Sequence, residues 1–252
     1  MKVFLLAILL LLSQISFGQD DEYKHGKPTT KGIDVYVERN WLPFIADYEE
    51  FIADTLVFEP FISTDDLSKY YNYSTGDAGY FEYPDNILID NNPNYIDYEL
   101  QRLSRFRKSQ YREASMFVRA VVMHELTHCY IYQIKMMARY DGNLAYEFRE
   151  GLRLIPVDNY GTNFVTEGIC EAVVGMMEEM IVWDEEIVIT KSDLDRRDSY
   201  EIKYRYSQQF MKPVIDEFGL KRAIYMVLSN KPPSDEEILN PKLYYDRLKW
   251  NS

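Results

Sequence analysis

From Ser109 to Met137 the chain has the spacing of one long helix, and its middle, Met116-Phe117-Val118-Arg119-Ala120-Val121-Val122-Met123, is apolar on nearly every side. A surface helix carries an apolar stripe; a helix that is apolar all round has to be buried. The rest of the chain must therefore wrap this segment, and the later turns of the same helix are held inside with it. Directly after the apolar middle comes His124-Glu125-Leu126-Thr127-His128.

Residues four apart lie on one helical face, so the imidazoles of His124 and His128 can reach the same ion. Zinc accepts neutral imidazole nitrogen and tolerates an open position for water. Glu125 stands one residue on from His124, about 100° around the helix, where its carboxylate can face that water and take its proton. The chain owns 3 histidines and two of them sit in this pentapeptide. Buried without a partner, these side chains would be costly to desolvate. A metal site is the reading that satisfies them.

A third protein ligand is then needed. The remaining histidine, His25, falls in a polar amino-terminal arm and reads as solvated. Asn163 to Trp183 reads as a second buried helix, with Val165, Ile169, Ala172, Val173, Met176 and Met177 as apolar positions and Glu167 and Glu171 sharing a face. One carboxylate can bind the metal while the other accepts the remaining ring N–H of a ligating histidine, which fixes its tautomer. Gly168 permits close approach of another backbone.

His-Glu-x-x-His followed by Glu-Gly-x-x-Glu resembles the gluzincin branch of zinc peptidases, which includes thermolysin-like enzymes and the leukotriene-hydrolase type of aminopeptidase. The resemblance implies zinc as cofactor, Glu167 as the third ligand and Glu171 as the acid that orients a ligating ring. The separation, 167 − 128 = 39 residues, lies within what that branch allows. Ala78-Gly79-Tyr80-Phe81 through Asn86-Ile87-Leu88-Ile89 resembles the strand pair that precedes the metal helix in zincins, whose edge strand binds extended peptide by strand addition. Tyr204-x-x-Ser207-x-x-Phe210, Phe218-Gly219 and Pro232-Pro233-Ser234-x-x-x-Ile238-Leu239-x-Pro241 resemble stretches of uncharacterised secreted bacterial zincin-like proteins, so the likeness spans about Gly79 to Tyr245.

One departure matters. Thermolysin-like enzymes stabilise the transition state with a downstream histidine, and none occurs after His128 here. The aminopeptidase type uses a tyrosine, which the resemblance assigns to Tyr204 or Tyr206. The Gly-rich exopeptidase motif of that type is not recognisable, so exopeptidase action is unsupported.

The implied fold is α+β and zincin-like: a small amino-terminal sheet, a buried metal helix and a mainly helical carboxyl-terminal half. Residues 1–18 read as a signal peptide, with Lys2, the apolar run Val3 to Leu12 and the small-residue site Ser16-Phe17-Gly18. Residues 19–32 read as a loose arm and 33–252 as one domain. Within it the pattern predicts a strand over Ile33 to Val37, then a helix over Trp41 to Thr55 with Pro43 limiting its start. The hairpin around Pro84-Asp85-Asn86 comes next, closed off by Asn91-Asn92-Pro93. Arg139 to Tyr160 is a connection with room for a short helix, and from Asp193 onward helices break at Pro213, Gly219 and Pro232-Pro233. Cys129 and Cys170 either form one bridge or remain buried thiols.

Hydrophobic residues make up 46 %, enough for a real core, and the formal charge is -13 without a Lys/Arg-rich run. That balance argues against nucleic acid or an anionic membrane as partner. The signal peptide leads to the expectation of a protein outside the cytoplasm, secreted or periplasmic, with no stretch able to span a membrane after cleavage. The expected function is zinc-dependent hydrolysis of peptide bonds in a peptide or protein substrate, with Glu125 as base. The rivals are a secreted binding or scaffold protein that retains a zinc site without catalysis and a metal-free helical protein with a chance motif. Glu125 weighs against the scaffold, because a structural site has no use for that base.

Overall fold

The computed structural model describes residues 28–69, 78–82, 84–104, 114–140, 160–177, 186–196 and 199–250. The signal peptide, His25 and nearly all of the Arg139 to Tyr160 connection lie outside the described residues. The chain is mostly helical with one small sheet, an α+β arrangement.

The first helix, α1 (Thr30–Ile52), starts three residues before the expected domain boundary and takes in the segment read as a strand. Thr29 caps it by accepting the Gly32 N–H at 3.0 Å. Ile33 and Val37 are indeed the inward residues. Residues four apart share a face in a strand and in a helix alike, so this pair could not tell the two apart; Phe44, Ile45 and Tyr48 continue it with helical spacing. Pro43 lies inside α1 on its exposed side, where the loss of one backbone bond is tolerated, and does not set its start.

Three strands come next in the chain: β1 (Phe61–Asp65), β2 (Gly79–Glu82) and β3 (Asn86–Asp90), in the order β1-β3-β2. The expected hairpin is present, with β2 antiparallel to β3 and Phe81 opposite Ile87. β1, which the sequence pattern did not mark, pairs parallel to β3 with Ile62 opposite Ile87. Asn92 and Pro93 do more than close the hairpin. They start α2 (Pro93–Ser104), the Asn92 side chain accepting the Asn94 N–H at 3.1 Å and the Tyr95 N–H at 3.4 Å.

The long helix α3 (Ala114–Tyr140) runs through the middle of the molecule. Phe117, Val118, Val122, Met123, Leu126, Ile131 and Ile134 are all buried, and the helix is packed by α1, β2, β3, α2 and two later helices. This is the all-round covering its composition requires. Gln133 clamps the loop before β1, donating to Phe58 O at 2.8 Å and accepting from Val57 N at 2.6 Å. The second buried helix is α4 (Tyr160–Met177), which packs directly on α3. Among the described residues no helix is long and apolar enough to cross a membrane.

The carboxyl-terminal part opens with a π-helical segment, Glu201–Tyr206, and continues without interruption into α5 (Ser207–Phe218). Pro213 is exposed inside α5 and does not break it. Gly219, at φ 78°, does separate α5 from α6 (Leu220–Ser229). Beyond the Pro232-Pro233 break, α7 (Asp235–Leu239) begins with a capping box between Ser234 and Glu237, and α8 (Pro241–Trp250) ends the described chain. Phe210 sits at the centre of this half, its ring 5.1 Å from Phe164, 5.3 Å from Tyr244 and 5.7 Å from Tyr245. Its truncation to Ala should remove about 3–5 kcal/mol of stability, read as a large fall in the thermal or denaturant midpoint. A change below about 1 kcal/mol would mean that this cluster does not hold the half together.

Candidate metal centre

His124 and His128 stand one turn apart on α3, and their Nε2 atoms are 3.1 Å apart. Glu167 reaches across from α4 and places Oε2 3.1 Å from His124 Nε2 and 3.6 Å from His128 Nε2. Two ring nitrogens and a carboxylate oxygen therefore converge on one point. The place equidistant from three atoms at these spacings is about 1.9 Å from each, close to the roughly 2.0–2.2 Å of zinc bonds to nitrogen and oxygen, so these three residues would hold a cation. One proton can bridge only one pair of such atoms; a metal ion serves all three lone pairs at once. The donor set fits a metal.

Glu171, one turn after Glu167, lies with Oε1 3.2 Å from His124 Nδ1. A proton on Nδ1 donated to that carboxylate leaves Nε2 with its lone pair turned to the ion site. Electrostatics agree. Burial alone would push the His124 imidazole down, but its contacts with Glu167 and Glu171 win and hold it well above its usual value. Burial likewise opposes a charged Glu167, yet the two imidazoles hold its carboxyl well below the ordinary range. Both shifts mark a pocket that favours positive charge.

A second candidate donor is present. Cys170 Sγ lies with donor atoms of His124 and His128 in a group whose members are all within 4.8 Å of one another, and this cluster can hold a metal ion. On spacing Glu167 is the better third donor, because its contacts are the 3.1 and 3.6 Å expected across adjacent ligand positions. Both cysteines are free and buried, so the structure contains no bridge between them. Burial pushes the Cys129 thiol up to about 12, and its sulfur accepts a bond from Gln133 Nε2 at 3.2 Å. Burial raises Cys170 as well.

The donors open into a cleft of about 370 Å³ whose lining includes Gly79, Tyr80, Phe81, Glu125, Lys135, Lys203 and Tyr204. Glu125 is nearly buried and lies against β2. A Cβ on Gly79 would come within 3.0 Å of Glu125 Cγ, 3.2 Å of Glu125 Oε1 and 2.5 Å of Val121 Cγ1. Glycine there is what lets the strand pass so close to the carboxylate. Gly168 does the same on the other side: a Cβ would lie 2.3 Å from Ser207 O. The bare helix face brings α4 hard against the start of α5, and Gln208 Nε2 donates to Glu171 O at 2.7 Å across the seam.

The two tyrosine candidates part company. Tyr204 lines the cleft, its ring 6.2 Å from the His124 ring. Tyr206 turns into the core and donates its hydroxyl to Ile238 O at 2.6 Å, so it does not face the donors. Burial pushes its phenol up to about 12. Positions two apart on a helical segment point to opposite sides, and only one of the pair can reach the site. Sequence reasoning passed over Lys203, whose Nζ is 3.4 Å from Glu167 Oε1.

No protein-family model, curated protein or solved structure matches the chain.

Titration of the metal-free protein with zinc separates the two third donors. Glu167→Ala should lose most of its metal, and Cys170→Ala should keep it. Glu171→Gln should bind about 10- to 100-fold more weakly. Full binding by Glu167→Ala with loss in Cys170→Ala would transfer the third position to the thiol.

Proposed function

We propose that this chain is a zinc-dependent peptidase of the gluzincin type, with a zincin-like fold, acting outside the cytoplasm on peptide or protein substrates. His124, His128 and Glu167 are the metal ligands of this reading, and Glu171 orients His124. The observation that carries it is the position of Glu125. This carboxylate lies beside the convergent donors, in the same cleft, with the edge strand β2 running past it. A site that only stabilised the fold would have no use for a nearly buried acid at that place.

Zinc, when bound, supplies Lewis acidity for the attacking water and the scissile carbonyl. Glu125 then accepts a proton from that water and passes it to the departing amine. Tyr204, the cleft tyrosine, donates to the oxyanion. The substrate main chain lies extended along β2, whose outer edge offers backbone groups for strand addition. Gly79 keeps that stretch of strand close to Glu125, so the paired peptide is delivered to the base.

Replacing Glu125 by Gln tests the reading. Gln is close to isosteric and Glu125 is not a ligand, so fold and zinc content should be unchanged. Cleavage of a peptide library should fall about 10²- to 10⁴-fold, since a neutral amide cannot take the proton. Tyr204→Phe should lose about 10²-fold with zinc retained. A zinc-loaded wild type that cleaves nothing, with Glu125→Gln indistinguishable from it, would defeat the peptidase and leave a metal-binding scaffold.

A further inference from the structure

The two oxygens of Glu167 face different partners. Oε2 is turned to His124 and His128, at 3.1 and 3.6 Å, while Oε1 lies 3.4 Å from Lys203 Nζ. A carboxylate can grip a metal through one oxygen or through both. Which it does decides how many positions remain for water, and here a cation already sits on the oxygen that would have to swing in.

Lys203 is delivered there by the backbone. The N–H of Ser207 bonds Ile202 O, a five-residue step that widens the helix by one residue and re-aims its side chains. Ser207 Oγ donates to the carbonyls of Lys203, at 2.5 Å, and of Tyr204, at 3.0 Å. The Ser207 carbonyl in turn rests against α4 where Gly168 has no side chain. The Lys203 ammonium also stands 4.8 Å from the centre of the Tyr204 ring, which attracts it from the cleft side. At 30 % side-chain exposure Lys203 is reachable by solvent, yet it is fixed by its surroundings.

We propose that Lys203 is a positioning residue that keeps Glu167 a one-oxygen ligand and so holds a coordination position open. This rests on the metal-site part of the function proposed above and not on its peptidase part. The lysine holds Oε1 out of the metal's reach and offsets part of the carboxylate's charge. Neutralising it releases Oε1 to chelate. The site then becomes more crowded, and the ligand loses the support that fixed its angle.

Cobalt(II) reports this directly, because its visible absorption is intense in a four-coordinate site and several-fold weaker when coordination rises. Metal-free full-length protein is loaded with cobalt as wild type, Lys203→Met, Lys203→Gln and Lys203→Arg. Wild type and Lys203→Arg should give the intense spectrum. Lys203→Met and Lys203→Gln should give the weak one. The exposure of Lys203 allows both neutral variants to fold, which circular dichroism checks. Folded Lys203→Met and Lys203→Gln with the wild-type spectrum would overturn the proposal alone. A wild type that takes up no cobalt would overturn the metal site and the proposal together.

Discussion

Four ionisable side chains, His124, His128, Glu167 and Glu171, are packed between two largely buried helices, and much of the rest of the structure is arranged around that contact. Each would be costly to desolvate alone. Together they satisfy one another: the two rings meet one oxygen of Glu167, and the far nitrogen of His124 meets Glu171. The arrangement works only if α3 and α4 hold their spacing and rotation. The surrounding elements can be understood as what fixes that geometry. α1, β2, β3 and α2 pack against α3, while the π segment and α5 press on α4.

Two glycines set how close the walls can come. Gly79 lets β2 approach Val121 and Glu125, and Gly168 lets the Ser207 carbonyl approach α4. Neither needs a positive φ; each is a position where a methyl group would strike a neighbour at 2.5 Å or less. The Glu-Gly pair in the second helix thus couples two jobs in adjacent residues. Glu167 faces the histidines, and the bareness of the next position draws in the backbone that carries Lys203 and Tyr204 to the same place.

That His124 and His128 would share one face, and Glu167 and Glu171 another, was legible in the sequence because helical spacing is rigid. Four-residue steps fix which side chains share a face, and 124/128 and 167/171 obey that rule in the structure. The hairpin was legible because its turn residues are local. The strand read over Ile33 to Val37 went astray for the opposite reason, since a four-residue step has the same face in both periodicities and only Phe44, Ile45 and Tyr48 decide it. β1 could not be read, because a parallel partner is chosen by tertiary pairing and Phe61 to Asp65 carries little pattern of its own. Lys203 could not be read either. A π step shifts the register after it, and no spacing rule anticipates which neighbours then face α4.

Three carboxylates share this site within a chain of formal charge -13, and like charges so close would ordinarily repel. Each is turned to a different wall. Glu171 faces the outer nitrogen of His124, Glu167 lies between the histidines and Lys203, and Glu125 lies against the edge strand. The division comes from where each sits on its helix. Glu167 and Glu171 are one turn apart and both look at α3, while Glu125 is rotated by about a quarter turn from His124 and looks toward β2. A cation at the point where His124, His128 and Glu167 meet would attract all three, and Glu167 has one oxygen at that point and the other 3.4 Å from Lys203 Nζ. The same chemical group can therefore meet a pair of imidazoles and a lysine, the outer nitrogen of a histidine or the edge of a strand, because the fold gives each copy a different neighbour.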